Sequence, residues 1–498
     1  MHYVAAVWIR TRTRRSRLPP GPVGLPVLGN VLEVPIKWTW RYFERLSGAY
    51  GPLVYLNMGG DHLLVLSNSR DAEELLGRRS LNYSSRPHLI YAGKYQSKDM
   101  RIVLLSYGRT FKRLRTAFHQ MLQPKVVEAY ENIQEIESAK LVYEMLLSPM
   151  EASRNCGRYS ASLVFHLSYG KRLADDDKDL LSVQAILAGF VQDTYPGSHL
   201  VDMFPILDRL PDFLSPWRSE ARRKHGAEAA FYQRLALEVK YAMDHGNADM
   251  ECFAARLWEQ RGKLELNVEE LAYVAGAAFE AGTDTTTATI LWFLMAMVLY
   301  PHTLAKAHAE LDAVLGADGT VMPTFTHFDS LPYCTALTKE VFRWAPAAPG
   351  GFPHRSDEDD EYNGFKIPAN TLVVPCIWTM HRNEDEFPDA SVFDPDRFLD
   401  KSSLTRAESL TEGHYSFGFG RCPGQYLGSK TIWIAVTRLL WAFNISAKRN
   451  PKTGLPMTVD PDRCTYGMTT RPLDFPFDLS IRSANHAETI HNAWEVHK

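Results

Sequence analysis

The run from Leu271 to Tyr300 constrains this chain more than any other segment: it is long, apolar, helical in pattern and stopped by Pro301. Midway it is interrupted by Glu280-Ala281-Gly282-Thr283-Asp284-Thr285-Thr286-Thr287. Acidic residues at that depth argue against a membrane span, so the helix is expected at the centre of a folded core. Polar side chains there cost free energy unless they are satisfied. Threonine hydroxyls can bond to the carbonyl one turn back and bend the helix, and Ala281 and Gly282 leave room beside such a bend. Two readings stay open on these residues alone. One is a plain kink with satisfied threonines. The other is a groove whose hydroxyl and carboxylate hand protons in order to a bound dioxygen.

A chain of 498 residues can bury a very large core around that helix. Length alone suggests two or three domains, yet the sequence shows no internal repeat, low-complexity block or convincing boundary. With 45% hydrophobic and 23% charged residues the composition is that of an ordinary globular protein. A net charge of −3 gives no general pull toward nucleic acid. Six cysteines (Cys156, Cys252, Cys334, Cys376, Cys422, Cys464) form no CxxC pair, which argues against a disulfide scaffold or a zinc site and suits a reducing compartment. No Gly-x-Gly-x-x-Gly opens a strand–helix unit, so any redox chemistry takes its electrons from a separate protein.

At the N-terminus, Tyr3–Ile9 is apolar but far short of the roughly 20 residues a spanning helix needs. Arg10, Arg12, Arg14, Arg15 and Arg17 follow, then Leu18-Pro19-Pro20-Gly21-Pro22. Basic residues behind an apolar stretch suit a cytosolic membrane flank, and the prolines predict a stiff extended link; a disordered basic tail is the alternative. Beyond it, a helix over Trp38–Tyr50 precedes a hairpin of Leu53–Met58 and Leu63–Leu66. From Phe111 to about Leu315 nearly everything reads as helix, with i, i+3/i+4 apolar spacing in Val126–Leu147 and Ala221–His245. Tyr195–Trp217, rich in proline and large apolar residues, reads as a packed loop or a lid. After Pro349 come short strands and loops, then one last helix after Gly424.

The stretch His414–Gly428 reads HYSFGFGRCPGQYLG around the lone Cys422. Most lone cysteines are buried small apolar residues. A cysteine that holds a haem iron as thiolate needs small residues that let backbone N–H groups near the sulfur, basic side chains for the propionates, and a helix start just downstream. Gly418, Gly420, Arg421 and the run from Gly424 supply these. The segment resembles the haem-thiolate loop of the cytochrome P450 family, whose pattern is Phe-x-x-Gly-x-Arg-x-Cys-x-Gly. If Phe417–Arg421 takes the usual place, the loop is two residues short before Cys422. Read without a gap, Tyr415 replaces the Phe and Gly420 the Arg. In either register the basic residue two before the cysteine is missing, which removes one propionate contact.

The resemblance extends over nearly the whole chain. Ala281–Thr286 matches the family's Ala/Gly-Gly-x-Asp/Glu-Thr-Thr/Ser motif, which implies that Thr285 holds the bound oxygen and Asp284 relays protons. Glu340-Val341-Phe342-Arg343 places an acid and a base at i, i+3, and the family ties such a pair to the Arg of a later Pro-x-Arg-Phe segment. That maps a structural triad onto Glu340, Arg343 and Arg397. Tyr107–Arg115 resembles the family's basic helix: Arg115 matches a propionate-binding position, Lys112 lies beside it, and Phe111 stands where a Trp is usual. Its outward members Arg109 and Arg113 would steer an acidic reductase. His354 stands where the family often places another propionate ligand. Phe417, Arg421 and Gly424 complete the set expected around haem b, with Cys422 as axial iron ligand.

The expected architecture is mainly α with small β-sheets, a single-domain cytochrome P450 fold around a buried haem, ending in strands at Tyr466–Arg471. Residues 1–17 are read as a short anchor and basic flank, 18–34 as a proline-rich hinge, 35–483 as the haem-thiolate catalytic domain and 484–498 as a tail. The resemblance implies a monooxygenase served by an NADPH-cytochrome reductase, using O2 on a small apolar organic substrate at the cytosolic face of the endoplasmic reticulum membrane, with no nucleic-acid partner. Its overall look is that of fungal secondary-metabolism members. Ile102, Leu105, Phe279 and Phe352 are expected to line the pocket. A same-fold peroxide isomerase or dehydratase is one rival, though such members tend to lose the acid–alcohol pair that Asp284 and Thr285 keep. A catalytically impaired haem-binding protein is the other.

Overall fold

Trp40, Phe43 and Leu46 recur at helical spacing and are the buried stripe of helix α1, Thr39–Tyr50. In the computed structural model, which describes residues 17–173, 178–195, 197–399, 410–419 and 422–497, α1 leads into an antiparallel hairpin. Strands β1 (Leu53–Met58) and β2 (Asp61–Leu66) turn through Gly59 and Gly60, both at positive φ. The expected link at 18–34 instead lies along this sheet. The Tyr55 N–H donates to the Pro20 carbonyl at 2.8 Å, Gly29 bridges Met58, and the Asn57 N–H donates to Asn30 Oδ1 at 3.0 Å. An edge strand carries unpaired backbone groups, and this segment satisfies them. The apolar stretch Tyr3–Ile9 and Arg10 to Arg15 lie outside the described residues.

Helices α2 (Arg109–Gln120), α3 (Glu131–Leu147), α4 (Ala152–Tyr169), α5 (Lys178–Asp193), α6 (Pro216–Asp244), α7 (Val268–Leu299), α8 (Pro301–Leu315) and α9 (Pro332–Trp344) build most of the body. The helix expected over Val126–Leu147 is in two pieces, Pro124–Glu128 and α3. Ala129 and Tyr130 tighten to i−3 hydrogen bonds, and the buried Tyr130 hydroxyl reaches back to the Met121 carbonyl at 3.3 Å. At the centre, α7 opens with a reciprocal capping box between Asn267 and Glu270. It is long and apolar enough to cross a membrane, yet most of it is buried inside the protein.

Glycines let the neighbours of α7 come close. A Cβ on Gly276 would sit 2.7 Å from the Tyr232 ring of α6, and one on Gly282 would sit 2.8 Å from Val164 of α4. The room beside Gly282 is therefore filled by α4. Between α5 and α6, residues 197–215 form short turns (Leu200–Met203, Pro205–Arg209, Asp212–Leu214) that leave Leu200, Phe204, Ile206 and Phe213 exposed.

Strands β3 (His354–Arg355), β4 (Asp360–Tyr362), β5 (Phe365–Ile367) and β6 (Leu372–Pro375) follow. β6 runs parallel to β2 and antiparallel to β3, giving the sheet order β1-β2-β6-β3. Helix α10 (Gln425–Ala442) is buried on nearly every face and leads into β7 (Phe443–Ala447), which pairs with β8 (Phe477–Ile481). The terminal strands are thus not at Tyr466–Arg471. There the Thr470 N–H donates to the Ala347 carbonyl at 2.8 Å, and the Arg471 carbonyl accepts the Thr465 N–H at 2.9 Å within the loop itself. The expected tail is instead helix α11 (Ala484–Glu495), capped by Ser483. It buries His486, Ile490 and Trp494 at i, i+4, i+8, and Trp494 meets Tyr143 of α3.

Candidate active site

The site is built on α9. Glu340 and Arg343 lie one turn apart on it, fully buried, in a bidentate pair with Arg343 Nη2 to Glu340 Oε1 at 2.6 Å and Nε to Oε2 at 2.7 Å. Arg397 Nε approaches the same Oε1 at 3.2 Å, and the Asp394 N–H donates to it at 2.8 Å. The rest of the Arg343 guanidinium is spent on the carbonyls of His381, Ala390 and Val392. A buried carboxylate between two arginines is satisfied and geometrically specific, so the triad clamps α9 to the 381–397 segment.

That clamp reaches the cysteine loop. Ser416 Oγ donates to the Phe342 carbonyl at 2.5 Å, and the Phe342 ring meets the Phe417 ring edge-on at 5.1 Å. Burial, with the nearby His414, Arg343 and Arg382, drives His381 well below the ordinary imidazole value. Its Nε2 therefore accepts the Tyr415 N–H, at 2.8 Å. Tyr415 stacks on His381 and Phe419, away from the cysteine. It is the Phe417 carbonyl that accepts the Cys422 N–H, at 3.2 Å. Gly418, at φ +66°, makes the turn between them. Arg421 and Gly420 lie outside the described residues.

Five of the six cysteines are buried, and Cys422 alone keeps part of its surface. Burial around the sulfur still pushes its thiol up, while the Gly424 N–H and the Arg115 charge pull the other way. A Cβ on Gly424 would lie 4.0 Å from Sγ, and α10 begins at the next residue with the Gly428 N–H donating to the Gly424 carbonyl at 2.7 Å. Close backbone, a helix start, a cationic neighbour and remaining surface fit a thiolate that ligates a haem iron. A metal cation inverts the burial effect that otherwise keeps the sulfur protonated.

On α7 the four threonine hydroxyls of 283, 285, 287 and 289 each donate to the carbonyl one turn back, Thr285 to Ala281 at 2.8 Å. Thr283 and Thr287 are buried, whereas Ala281 is exposed and Thr285, like Gly282 and Asp284, keeps part of its surface. The Asp284 carboxylate accepts a hydrogen bond from Thr469 Oγ1 and faces Arg471 Nη1 at 3.7 Å.

Of the other predicted residues, Arg115 comes within electrostatic reach of Cys422. His354 is buried on β3 and donates from Nδ1 to the Tyr83 carbonyl at 2.7 Å. Lys112 is exposed, with its ammonium 4.7 Å from the Tyr107 ring centroid. Arg109 pairs with Glu265 and Arg113 with Glu270, so neither guanidinium is a free steering charge. Ile102 and Leu105 are buried, and Phe352 is partly exposed. Phe279 faces α4, edge-on to Phe165 at 6.2 Å.

Sequence reasoning passed over a buried charge cluster one turn before Asp284. Arg101 Nη2 lies 2.7 Å from Glu280 Oε1 and 2.9 Å from Glu228 Oε2. Tyr232 donates to Glu280 and Gln96 to Glu228, both at 2.7 Å, and Phe190 of α5 lies under the guanidinium. Burial lifts the Glu228 carboxyl to about 7. Glu280 is the one member the sequence motif touched; its partners stand 48 to 179 residues away along the chain, so no local pattern marks them.

Residues 19–467 match the family model described as cytochrome P450. A cytochrome P450 monooxygenase of Armillaria gallica is 34% identical over 488 residues, covering 96% of this chain and 92% of its own. A cytochrome P450 monooxygenase of Postia placenta, number 253, is 36% identical with 94% and 89% covered. The cytochrome P450 monooxygenase aneD of Aspergillus aculeatus is 34% identical, with 96% and 91% covered.

Proposed function

Because the chain belongs to the cytochrome P450 family, whose members are haem-thiolate monooxygenases, we propose that it inserts one oxygen atom from dioxygen into an apolar organic substrate. Electrons come from NADPH through a separate reductase, and the setting is fungal secondary metabolism. The observation that carries the reading is Cys422: a cysteine with surface left, approached by the Gly424 N–H and the Arg115 charge at the start of α10. Cys422 supplies the thiolate, and Arg115, His354, Lys112 and Arg421 meet the propionates. Phe417 and Gly424 shape the loop. Haem b, when bound, supplies the activation of dioxygen, with the thiolate's electron push favouring O–O cleavage.

The chain's own residues do the rest. Thr285 keeps part of its surface, and because its hydroxyl proton is committed to the Ala281 carbonyl, its oxygen is left to accept. Asp284, the adjacent residue, carries protons toward it. Glu340, Arg343 and Arg397 hold the cysteine loop in place without touching the reaction. The protein lies on the cytosolic face of the endoplasmic reticulum membrane. This placement draws on the exposed Val23, Val27 and Leu32 together with Phe204 and Phe213; Tyr195, donating to the Ile36 carbonyl, ties the two regions together.

The test is Thr285→Ala. The variant should keep the substrate-induced spectral change and keep consuming NADPH through the reductase, but release hydrogen peroxide in place of product. Product formed per NADPH as efficiently as by the parent contradicts the assignment.

A further inference from the structure

A cleft of about 1250 Å³ opens between α3, α4 and α5, with Trp494 of α11 in its wall. A small-molecule site usually encloses roughly 300–1,000 Å³, so there is room for an elongated molecule. Trp494 lies beyond residues 19–467, so the match to the family model does not account for this end of the cleft.

Helix α5 carries two apolar stripes. Val183 and Phe190, two turns apart, are buried, and Phe190 lies under the Arg101 guanidinium. Leu180, Leu187 and Val191 follow at i, i+7 and i+11 and line the cleft. Leu180 continues into the core, whereas Leu187 and Val191 are only partly buried and join none of the apolar clusters of the described residues. A surface helix packs one apolar stripe on the core. The second stripe of α5 looks into a cavity, with no apolar side chain packed against Leu187 or Val191.

The opposite wall is polar. It is formed by the first turns of α4, which no described side chain caps. Arg154 and Arg158, one turn apart on α4, share a face and line the cleft. Arg158 is 5% exposed; its Nε donates to Glu144 at 2.6 Å and its Nη1 to Glu137 at 3.3 Å, while Nη2 has no partner among the described residues. The carboxylates nearby are already engaged, Glu144 with Arg158 and Glu151 with Arg154 at 2.8 Å. What remains is donor capacity: an unpaired guanidinium edge beside a helix start, which suits an anion.

We propose that this cleft binds a long-chain carboxylate, with its head on Arg154 and Arg158 at the start of α4 and its chain along Leu187 and Val191 of α5. A neutral lipid would cover the stripe and leave Arg158 Nη2 unpaired. A short anion would pair that edge and leave the stripe bare. Only a molecule with both parts answers both walls. The site stands apart from the haem pocket, and the inference does not rest on the reaction proposed above.

Equilibrium dialysis of isotope-labelled palmitate, below its micelle concentration, tests this on the full-length, haem-loaded protein. An imidazole-bearing compound held on the iron is present throughout and keeps palmitate out of the haem pocket. Saturable binding of one palmitate per chain is expected, and its methyl ester should compete roughly tenfold more weakly, having lost the charge-assisted hydrogen bonds. Arg154 and Ala188 both line the cleft and are exposed, so changing them strands no buried charge. Arg154→Gln should weaken binding by roughly tenfold, and Ala188→Trp, which puts an indole in the chain's path, should abolish it; each variant is first shown to keep the parental haem content and thermal midpoint. Four results overturn the proposal: no saturable binding, binding seen only when the imidazole compound is left out, equal competition by the methyl ester, or unchanged binding in Ala188→Trp. Unchanged binding in Arg154→Gln alone overturns the placement of the carboxylate on α4.

Discussion

Glu228 is the most exacting place to test the electrostatics around α7. It is 4% exposed, shares Arg101 with Glu280, and is lifted by burial from the usual 4.5 to about 7. Two carboxylates and one guanidinium cannot all be charged and balanced in a dry site, and the proton on Glu228 relieves the excess. A tenfold change in proton affinity is worth about 1.4 kcal/mol, so the displacement amounts to about 3 kcal/mol. Because the folded value is raised, the folded state holds its proton after the open state has lost it. The contribution of Glu228 to stability is highest below about pH 4.5 and falls as pH rises, levelling off above about pH 7. Glu228→Gln imitates the protonated form and removes the titration. Amide hydrogen exchange of α6 reads the opening that exposes this side chain, and comparing variant with parent at one pH cancels the intrinsic exchange rate. The variant should be nearly as protected as the parent at about pH 5. At about pH 8 it should be more protected, the gap widening by on the order of 2–3 kcal/mol, well over tenfold. A constant ratio, or a variant less protected at the higher pH, would falsify the argument and mean that Arg101 stabilises a charged Glu228.

Glu340→Ala strands Arg343, which has no exposed surface, and removes the acceptor for Arg397 and the Asp394 N–H. It should cost about 3–5 kcal/mol, read as a lower denaturant midpoint with loss of bound haem; a variant within 1 kcal/mol, roughly, of the parent contradicts the clamp. Phe204→Ser with Phe213→Ser should weaken binding to anionic vesicles at every salt concentration, whereas added salt alone should weaken only the contribution of the N-terminal arginines, on the order of 1 kcal/mol each. Vesicle binding that survives both changes places the membrane contact elsewhere.

Much of this arrangement was legible because it is local. The apolar period and the stop at Pro301 mark α7, and glycines flank Cys422. Glu340 and Arg343 sit at a spacing that brings both side chains to one helix face. What stayed hidden depends on partners far apart in sequence. Nothing near Arg101 points to Glu228, and nothing near Asp284 points to Thr469 and Arg471, since those contacts exist only once α6 and the 465–471 loop have docked. Gly282 looked like room for a ligand and is room for Val164, because a glycine cannot say what fills the space it leaves. Helix α11 was within reach: Ser483 as cap, with His486, Ile490 and Trp494 at i, i+4, i+8, is a signal its place near the chain end obscured.

The absorbance spectrum of the reduced protein under carbon monoxide, recorded for the parent and for Cys422→Ser, tests the central claim most directly. The thiolate reading predicts the family's far-red Soret band in the parent and its loss in Cys422→Ser. A parent that binds haem without that band, or a Cys422→Ser variant that keeps it, contradicts the assignment of Cys422 as the iron ligand.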